Sequence, residues 1–280
     1  MATISNRSGF ILLMVLAILV IASTVLAATI RRSSREVMDA GTAMQNLQLR
    51  WGTLSLRQLC MASPQSELVA PESGEPLPCL HKTLKLGNLS FHLVLADEQA
   101  KANVNMLAAR YGDSDALSIL TRLQAQLRPI AYAQGSGAGR IRQSWHEVFE
   151  YRHPRELVDW AGLQPSISDR VTCWGSGRVN FKTASSEILQ TTLADVLSEA
   201  DIAKVHELTV ARPSCTLEEV FGLLQLTAQD AAKVRSVLTD RSDCFSLWVI
   251  AQGPTRSWYR LYVRNRMAAE SDAQTWAFEW

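Results

Sequence analysis

The chain begins with a long apolar stretch. From position 10 to position 30, 21 consecutive residues carry no charged side chain. A helix of that length, at about 1.5 Å per residue, reaches about 30 Å and crosses the hydrocarbon core of a membrane. The stretch therefore predicts a transmembrane helix. A cleaved secretory signal is the alternative, because Val25-Leu26-Ala27-Ala28 partly matches a small-residue cleavage site.

Apolar residues continue beyond this stretch with the spacing of a helix. They recur at alternating steps of three and four and form one apolar stripe, which consists of Val37, Ala40, Met44, Leu47, Trp51 and Leu54. We therefore expect one helix from residue 10 to about residue 59, roughly 75 Å long at 1.5 Å per residue. Its first half is expected in lipid and its second half packed on a globular domain.

Strand patterns occur in two regions that lie far apart in the sequence. After a proline-rich loop over 61–78, alternating apolar residues predict half-buried strand structure that ends near Ala96, either a hairpin that turns at Gly87-Asn88 or one bent strand. Near the carboxyl end, the same alternation predicts strands over 245–249, 258–263 and 276–280, with turn residues over 252–256. Both regions are expected to contribute to one sheet.

The middle of the chain, residues 97–243, has a different character. It is rich in helix formers and poor in strand patterns, which indicates a helical segment inserted between the strands of the sheet. Within it we expect a helix over 184–193 that is capped by Thr183, Ser185 or Ser186.

Composition and cysteine usage narrow the classes of function. Of the 280 residues, 47% are hydrophobic and 20% are charged, which is enough apolar material for a folded core. The 28 Lys and Arg nearly balance the 27 Asp and Glu, so no strong field favours nucleic acid. The cysteines lack the paired spacing of a zinc or redox motif. A Cys60–Cys79 bridge would close the proline-rich loop of an exported chain, whereas free thiols fit a reducing compartment.

The residues at the start of the apolar stretch resemble a prepilin peptidase site. Arg7-Ser8-Gly9 is followed directly by Phe10, as in the type IV pilin and pseudopilin superfamily. The resemblance implies cleavage between Gly9 and Phe10 and methylation of the new amino terminus. Most members carry Glu at the fifth mature position, where this chain has Met14. Among the pseudopilins of type II secretion, the K subunit typically lacks that Glu. A carboxylate in an apolar filament core is costly unless it lies beside a cation.

The remainder of the chain is also similar to the minor pseudopilin K family, the general secretion pathway protein K family. Segments 97–105, 178–185 and 216–224 resemble three of its elements. The family has an α+β, pilin-like fold, in which a long amino-terminal helix packs on a small antiparallel sheet and a large helical domain is inserted. The resemblance implies a leader over 1–9, a transmembrane and filament-core helix over 10–30, pilin-like parts over 31–96 and 244–280, and an inserted helical domain over 97–243.

By this resemblance the chain would be a non-enzymatic subunit at the tip of the periplasmic pseudopilus. It would cross the bacterial inner membrane once and carry its body in the periplasm. Its partners would be other minor pseudopilins, the prepilin peptidase, the inner-membrane secretion platform and the lipid bilayer, without nucleic acid or a required cofactor. The positive-inside rule opposes this orientation, because Arg31, Arg32 and Arg35 follow the span while only Arg7 precedes it. The peptidase motif is the more specific signal.

Two sets of residues are weak candidates for metal binding. His146, Glu150 and His153 would share one face of a helix, but Pro154 ends such a helix, so capping roles are favoured. The other set could provide carboxylate oxygens for calcium and consists of Asp113, Asp115, Asp240 and Asp243. Some members of the family bind calcium in the helical domain, but no complete EF-hand loop occurs here, and turn or cap roles are favoured.

Two rival functions come from related architectures. Residues 179–184 also resemble the start of a helix-hairpin-helix unit, as in membrane-anchored DNA-uptake proteins. The following segment, 193–210, contains no glycine and is rich in carboxylates, which disfavours phosphate binding. A tip subunit of a type IV pilus is the second rival.

Overall fold

The structure is a computed structural model that describes residues 6–70, 74–125, 127, 130–133, 140–160, 165–253, 256–266 and 274–280. At residues 6–8 and 274 it describes only the backbone. The chain divides into two compact units, Met1–Trp51 and Gly52–Trp280. Residues 1–5 of the predicted leader, Pro71 of the proline-rich loop and Pro254-Thr255 of the predicted last turn lie outside the described residues.

The first helix, α1, extends over Asn6–Ala62 and confirms the long helix predicted from the sequence. Among the described residues, one helix is long and apolar enough to cross a membrane, and it is this helix from Gly9 onward. Its few hydroxyl groups in the apolar stretch are satisfied within the helix. Ser23 Oγ donates to the Leu19 carbonyl at 2.7 Å and Thr29 Oγ1 donates to the Val25 carbonyl at 2.8 Å. These bonds remove the cost of bare hydroxyls in lipid.

The residues of the apolar stripe of α1 are not buried within their own units. Every stripe residue is exposed, from Val37 at 69% to Leu54 at 40%. In the second unit, α1 instead buries Gly52, Thr53, Leu56, Cys60 and Met61. Gly52 makes this packing possible, because a Cβ at this position would lie 2.5 Å from Cζ of Phe91. The hydrophobic spacing predicted the helix correctly, but within the second unit it did not predict the residues of α1 that pack.

The second unit contains the remaining elements. In chain order they are α2 (Pro64–Glu67), β1 (Cys79–Leu86), β2 (Leu89–Asp97), β3 (Ala102–Asn103), α3 (Val104–Tyr111), α4 (Asp113–Gln124), β4 (Ala131–Tyr132), β5 (Phe149–Glu150), α5 (Ile167–Arg170), β6 (Val171–Thr172), β7 (Val179–Asn180), α6 (Ser186–Leu193), α7 (Glu199–Ala211), α8 (Leu217–Leu224), α9 (Ala228–Val237), β8 (Leu238–Thr239), β9 (Cys244–Gln252), β10 (Ser257–Asn265) and β11 (Gln274–Glu279). Three 3-10 turns cover Glu98–Ala100, Trp145–Glu147 and Pro154–Glu156.

One antiparallel sheet of five strands has the order β1-β2-β9-β10-β11. The turn between β1 and β2 uses Gly87, whose φ of 59° lies in the left-handed region that glycine adopts readily. The pairing of β2 with β9, for example Leu93 with Val249, joins the two regions of strand pattern. The predicted strands and the α+β fold class are thereby confirmed.

The two faces of this sheet pack against different parts of the second unit. On one face of the sheet, Tyr262 pairs with Leu247, which in turn pairs with Leu95. The guanidinium carbon of Arg57, in α1, lies 5.2 Å from the centroid of the Tyr262 ring. The alternate residues face the other way, because successive side chains of a strand point to opposite faces. Val94 and Trp248 on that second face belong to a core shared with the helices between β2 and β9.

The segment between β2 and β9 is mainly helical, as predicted, but it also contains short strands that the sequence did not reveal. β3 pairs in parallel with β6, β4 pairs antiparallel with β5, and β7 pairs in parallel with β8. Each of these strands has two residues. Alternation cannot show in so short a strand, which explains why the sequence pattern missed them.

Candidate membrane anchor and polar junction

The residues of the predicted processing site lie on the first turns of α1. Gly9 and Phe10 are both helical and exposed, and a Cβ placed on Gly9 would meet no atom within 4 Å. Met14, at the position where the family usually has Glu, is also exposed, at 56%. The helix therefore offers Gly9, Phe10 and Met14 to an enzyme, to lipid or to another chain without breaking any packing.

Charged residues mark the end of the apolar stretch. Arg31, Arg32 and Arg35 follow it directly, and Arg32 Nε donates to Glu36 Oε1 at 2.9 Å across one helical turn. Such an exposed pair adds little to stability. Charged side chains thus begin on the helix at residue 31, as expected at the surface of a membrane.

A buried polar cluster occupies the point where the sheet meets the inserted segment. Asp97, at the end of β2, is 1% exposed and accepts hydrogen bonds from Ser242 Oγ at 2.6 Å and from Thr183 Oγ1 at 2.7 Å. It also accepts from the Gln99 amide at 2.8 Å and from Asn180 Nδ2 at 3.2 Å. Burial raises the pKa of the Asp97 carboxyl, and these hydrogen bonds oppose that rise.

An ion pair lies next to Asp97 and is equally buried. Lys101 Nζ lies 2.5 Å from Glu98 Oε1, and the two side chains are 4% and 1% exposed. Thr172 and Ser246 each donate a hydroxyl hydrogen bond to Glu98 at 2.5 Å. A buried ion pair is tolerated when both charges are fully hydrogen-bonded, and it then fixes one arrangement of the chain.

The buried polar cluster brings together segments that lie far apart in the sequence. The segment 97–105 supplies Asp97 and Glu98, and the segment 178–185 supplies Asn180 and Thr183, which both bond to Asp97. Of the three candidate caps, Ser185 caps α6 and accepts from the Ile188 amide at 3.3 Å, so the predicted cap is confirmed. Thr183 donates its hydroxyl to Asp97.

The cysteines do not pair in the structure. All five are free thiols. The Cys60–Cys79 bridge that the sequence allows is not formed in the structure: Cys60 is buried in the last turns of α1, and Cys79 is half-buried with its Sγ 3.8 Å from Nε2 of His81. Burial raises the pKa of Cys60 and of Cys79, which disfavours their thiolate forms.

The calcium candidates are engaged as turn and cap residues. Asp113 and Asp115 lie in the first turn of α4, and Asp113 Oδ1 pairs with the Arg142 guanidinium at 2.9 Å. Asp240 Oδ2 accepts from the Leu217 amide at 3.4 Å. The remaining candidate, Asp243, contributes backbone bonds through its amide and its carbonyl. Among the residues that the structure describes, no group of three or more His, Cys, Asp or Glu is placed to hold a metal ion. Calcium binding therefore stays a prediction.

The histidine set does not share a helix. His146 lies in the 3-10 turn Trp145–Glu147, Glu150 lies in β5, and His153 precedes the 3-10 turn Pro154–Glu156. His153 Nδ1 accepts from the Arg155 amide at 3.2 Å, so a capping role is confirmed for this residue.

The segment of the rival DNA-binding unit carries carboxylates at its surface. Asp195 pairs with Arg110, and Asp201 pairs with Lys204 at 2.8 Å. Ser198 and Asp201 form the start of α7, where a phosphate would meet negative charge.

Comparisons with known proteins complete the description. No protein-family model matches the chain, and no curated protein matches it. The chain is similar to a solved structure described as the crystal structure of the GspK-GspI-GspJ complex from the type 2 secretion system of enterotoxigenic Escherichia coli. The two chains are 14% identical, the likeness covers 85% of this chain and 98% of the other, and the TM-score is 0.48. A likeness at this level does not establish a family or a function.

Proposed function

We propose that this chain is a minor pseudopilin of a type II secretion system. One observation carries the proposal: residues that resemble a prepilin peptidase site stand directly before the apolar stretch of α1, and the last turns of the same helix pack on an antiparallel sheet. A secretory signal does not account for a helix that continues without a break to Ala62.

The anchor would act in two stages. Before assembly, residues 10–30 hold the chain in the inner membrane as a single span, with the body in the periplasm. After cleavage between Gly9 and Phe10 and methylation of the amino group, the same apolar surface leaves the lipid and packs among the helices of a pseudopilus. Met14 suits a subunit without a charged partner ahead of it, because a Glu there would be buried without a cation.

The inserted segment would give the subunit its special position. Residues 97–243 place additional helices on one face of the sheet, and the buried Asp97 and Glu98–Lys101 contacts fix them to it. A body enlarged in this way is suited to the tip of the pseudopilus, beside other minor pseudopilins, rather than to a repeated position. The prepilin peptidase and the inner-membrane platform would be its partners during processing and assembly. The role is structural and requires no cofactor.

A deletion strain distinguishes this proposal from its two rivals. Three outputs are measured in the same strain: delivery of exported proteins to the medium, the number of surface pili, and DNA uptake. The proposal predicts that exported proteins accumulate in the periplasm while pili and DNA uptake are unchanged, and that the wild-type gene restores delivery. Loss of pili with normal secretion would assign the chain to a type IV pilus. Loss of DNA uptake would instead support a membrane-anchored DNA-binding protein.

A further inference from the structure

A surface cleft of about 620 Å³ lies between α4 and α6 of the inserted segment. Its walls include Asp115, Ser118 and Arg122 of α4 and Glu187 of α6, and we call it the α4–α6 cleft. Its volume is within the range of clefts that bind ligands in other proteins. The cleft is therefore large enough to receive side chains of a partner.

Contacts at the two ends of the cleft show that its helices run antiparallel. At one end, Arg170 donates to the Leu123 carbonyl of α4 at 3.1 Å and pairs with Glu187, at the start of α6, at 2.8 Å. At the other end, Arg110 of α3 donates to the Thr192 carbonyl near the end of α6 at 2.9 Å. Since α3 directly precedes α4 in the chain, the start of α4 lies beside the end of α6.

Two charged side chains of the cleft have no ion-pair partner. Glu187 and Asp195, which also line the cleft, each pair with an arginine that lies outside it. Asp115 and Arg122 are exposed, and among the residues that the structure describes neither of them forms an ion pair. The dipole of α4 favours an acid in its first turn and a base in its last turn, but it neutralises neither charge.

The spacing of these two charges defines what would complement them. Asp115 and Arg122 are 122 − 115 = 7 residues apart on α4, about 10.5 Å along the axis at 1.5 Å per residue. Seven residues make about two turns, so both charges lie on the same side of the helix. A complementary occupant has a base opposite Asp115 and an acid opposite Arg122, separated by the same distance.

The α4 wall of the cleft favours a helix as the occupant. Between the two charges this wall presents Ser118 and Ile119, and the Ser118 hydroxyl already donates to the Ser114 carbonyl at 3.1 Å. An extended segment would need partners for its backbone groups, which this wall does not supply, whereas a helix satisfies its own. Tyr111 and Ile119 offer apolar surface to the apolar side of such a helix.

We propose that the α4–α6 cleft binds an amphipathic helix of a different protein, which carries a basic and an acidic residue seven positions apart to meet Asp115 and Arg122. A second copy of α4 has the same spacing, but in the proposed function the chain occupies a filament tip and not a repeated position. The choice of a different protein therefore rests on the proposed function. The inference adds to that function a contact surface on the inserted segment.

Site-specific photo-crosslinking in the native membrane identifies the occupant. A crosslinking phenylalanine analogue replaces Ser118 in the full-length chain, and the matched control places it at Leu117, which is exposed on the same turn outside the cleft. Ser118 is expected to give an adduct that maps to a helix with a base and an acid seven positions apart, and Leu117 is expected to give none. No adduct from Ser118, equal yields from both positions, a product of twice the chain's mass, or a crosslinked peptide without the two charges overturns the proposal.

Charge reversal tests the assigned contacts. Asp115→Lys is expected to lower the Ser118 adduct about tenfold, which corresponds to roughly 1.4 kcal/mol. Glu199→Lys makes the same change at an exposed residue in the first turn of α7, outside the cleft, and is expected to leave the yield unchanged. An acid in place of the partner's basic residue restores the adduct with Asp115→Lys, and failure to restore it contradicts the contact.

Cleavage at Gly9 and delivery of exported proteins are scored in the same cells. Loss of the expected adduct pattern in a strain that cleaves and secretes normally overturns the cleft contact and leaves the proposed function standing. A wild-type chain that stays uncut but gives the Ser118 adduct contradicts the proposed function and supports the cleft contact.

Discussion

Asp97 receives hydrogen bonds from residues that are widely separated in the sequence. Its donors are Gln99, Asn180, Thr183 and Ser242. A carboxylate can accept all of these bonds because it has only acceptor sites. The residue thus ties the end of β2 to β7 and to the turn before β9, and its loss should affect the whole second unit.

The variant Asp97→Asn should be destabilised by about 1–3 kcal/mol, because its side-chain NH2 replaces one acceptor oxygen and would face either the backbone amide of Gln99 or Nδ2 of Asn180, which are both donors. The effect also has a pH dependence. Since burial raises the pKa of Asp97 in the folded chain, its contribution is fully present below the unfolded value and is lost as the pH rises through the folded value. The advantage of wild type over Asp97→Asn should therefore be largest in acid.

Denaturant unfolding of the full chain in detergent, followed by tryptophan fluorescence at several pH values, measures this difference. Asp39→Asn serves as the control, because Asp39 is exposed on α1. An advantage that grows as the pH rises would contradict the account of Asp97.

The Glu98–Lys101 pair makes a separate prediction. Lys101→Met leaves Glu98 buried without a cation and should cost about 3–5 kcal/mol. Adding Glu98→Gln to that variant should recover part of the loss, because the uncompensated charge is gone. Lys204→Met removes an exposed pair of the same i,i+3 spacing and should have no measurable effect. Strictly additive losses in the double variant would show that the pair is not coupled.

At the scale of single residues, the sequence did not indicate the hydrogen-bond partners that the structure shows. Thr183 fitted the pattern of a helix cap, and nothing local reveals that Asp97 would take its hydroxyl. The available signal was the polar character of segments 97–105 and 178–185 in a chain that has enough apolar residues to bury them. Polar residues that become buried must find partners, and those partners are usually distant in sequence.

At the scale of elements, α1 shows what periodicity can and cannot predict. The helix itself was predicted from its apolar spacing, because the 3.6-residue period shows directly in a sequence. The residues that pack on the sheet were not predicted, since Gly52 and Thr53 carry no strong hydrophobic signal. Gly52 packs through the absence of a side chain, which a hydrophobic pattern does not register.

Gly52→Ala should lower the stability of the second unit by about 1–3 kcal/mol, because the added methyl group would lie 2.5 Å from Cζ of Phe91 and force its ring to move. Gly41→Ala is the matched control on the same helix, where a Cβ meets no atom within 4 Å. Unfolding of both variants in denaturant measures the difference. Equal stability of the two variants would contradict the close packing of α1 at Gly52.

The strands of the sheet were predictable for a similar reason. β1, β2 and β10 are long enough for alternation to show, and the turn at Gly87 separates β1 from β2. The two-residue strands β3 and β7 were not predictable, because their pairing partners lie in β6 and β8 and depend on how the inserted segment folds.

At the scale of the whole molecule, the inserted segment and the sheet share one core although the sequence separates them. Val94, Trp248 and Leu261 of the sheet belong to the same buried cluster as Leu120 and Leu189 of the inserted helices. A change in sequence pattern at residues 97 and 243 marks the predicted boundaries of the insertion. It could not predict the shared core, because contacts between distant segments leave no periodic signal.

Intact mass of the membrane-extracted protein tests the central claim most directly. The chain is expressed with and without an active prepilin peptidase, together with Gly9→Val and Gly41→Val, two helical glycines around which a Cβ meets no atom within 4 Å. The account predicts that wild type and Gly41→Val lose residues 1–9 and gain one methyl group only with the peptidase, and that Gly9→Val stays whole. An uncut wild-type chain in the presence of the peptidase, or a cut near Ala28, would contradict the pseudopilin assignment.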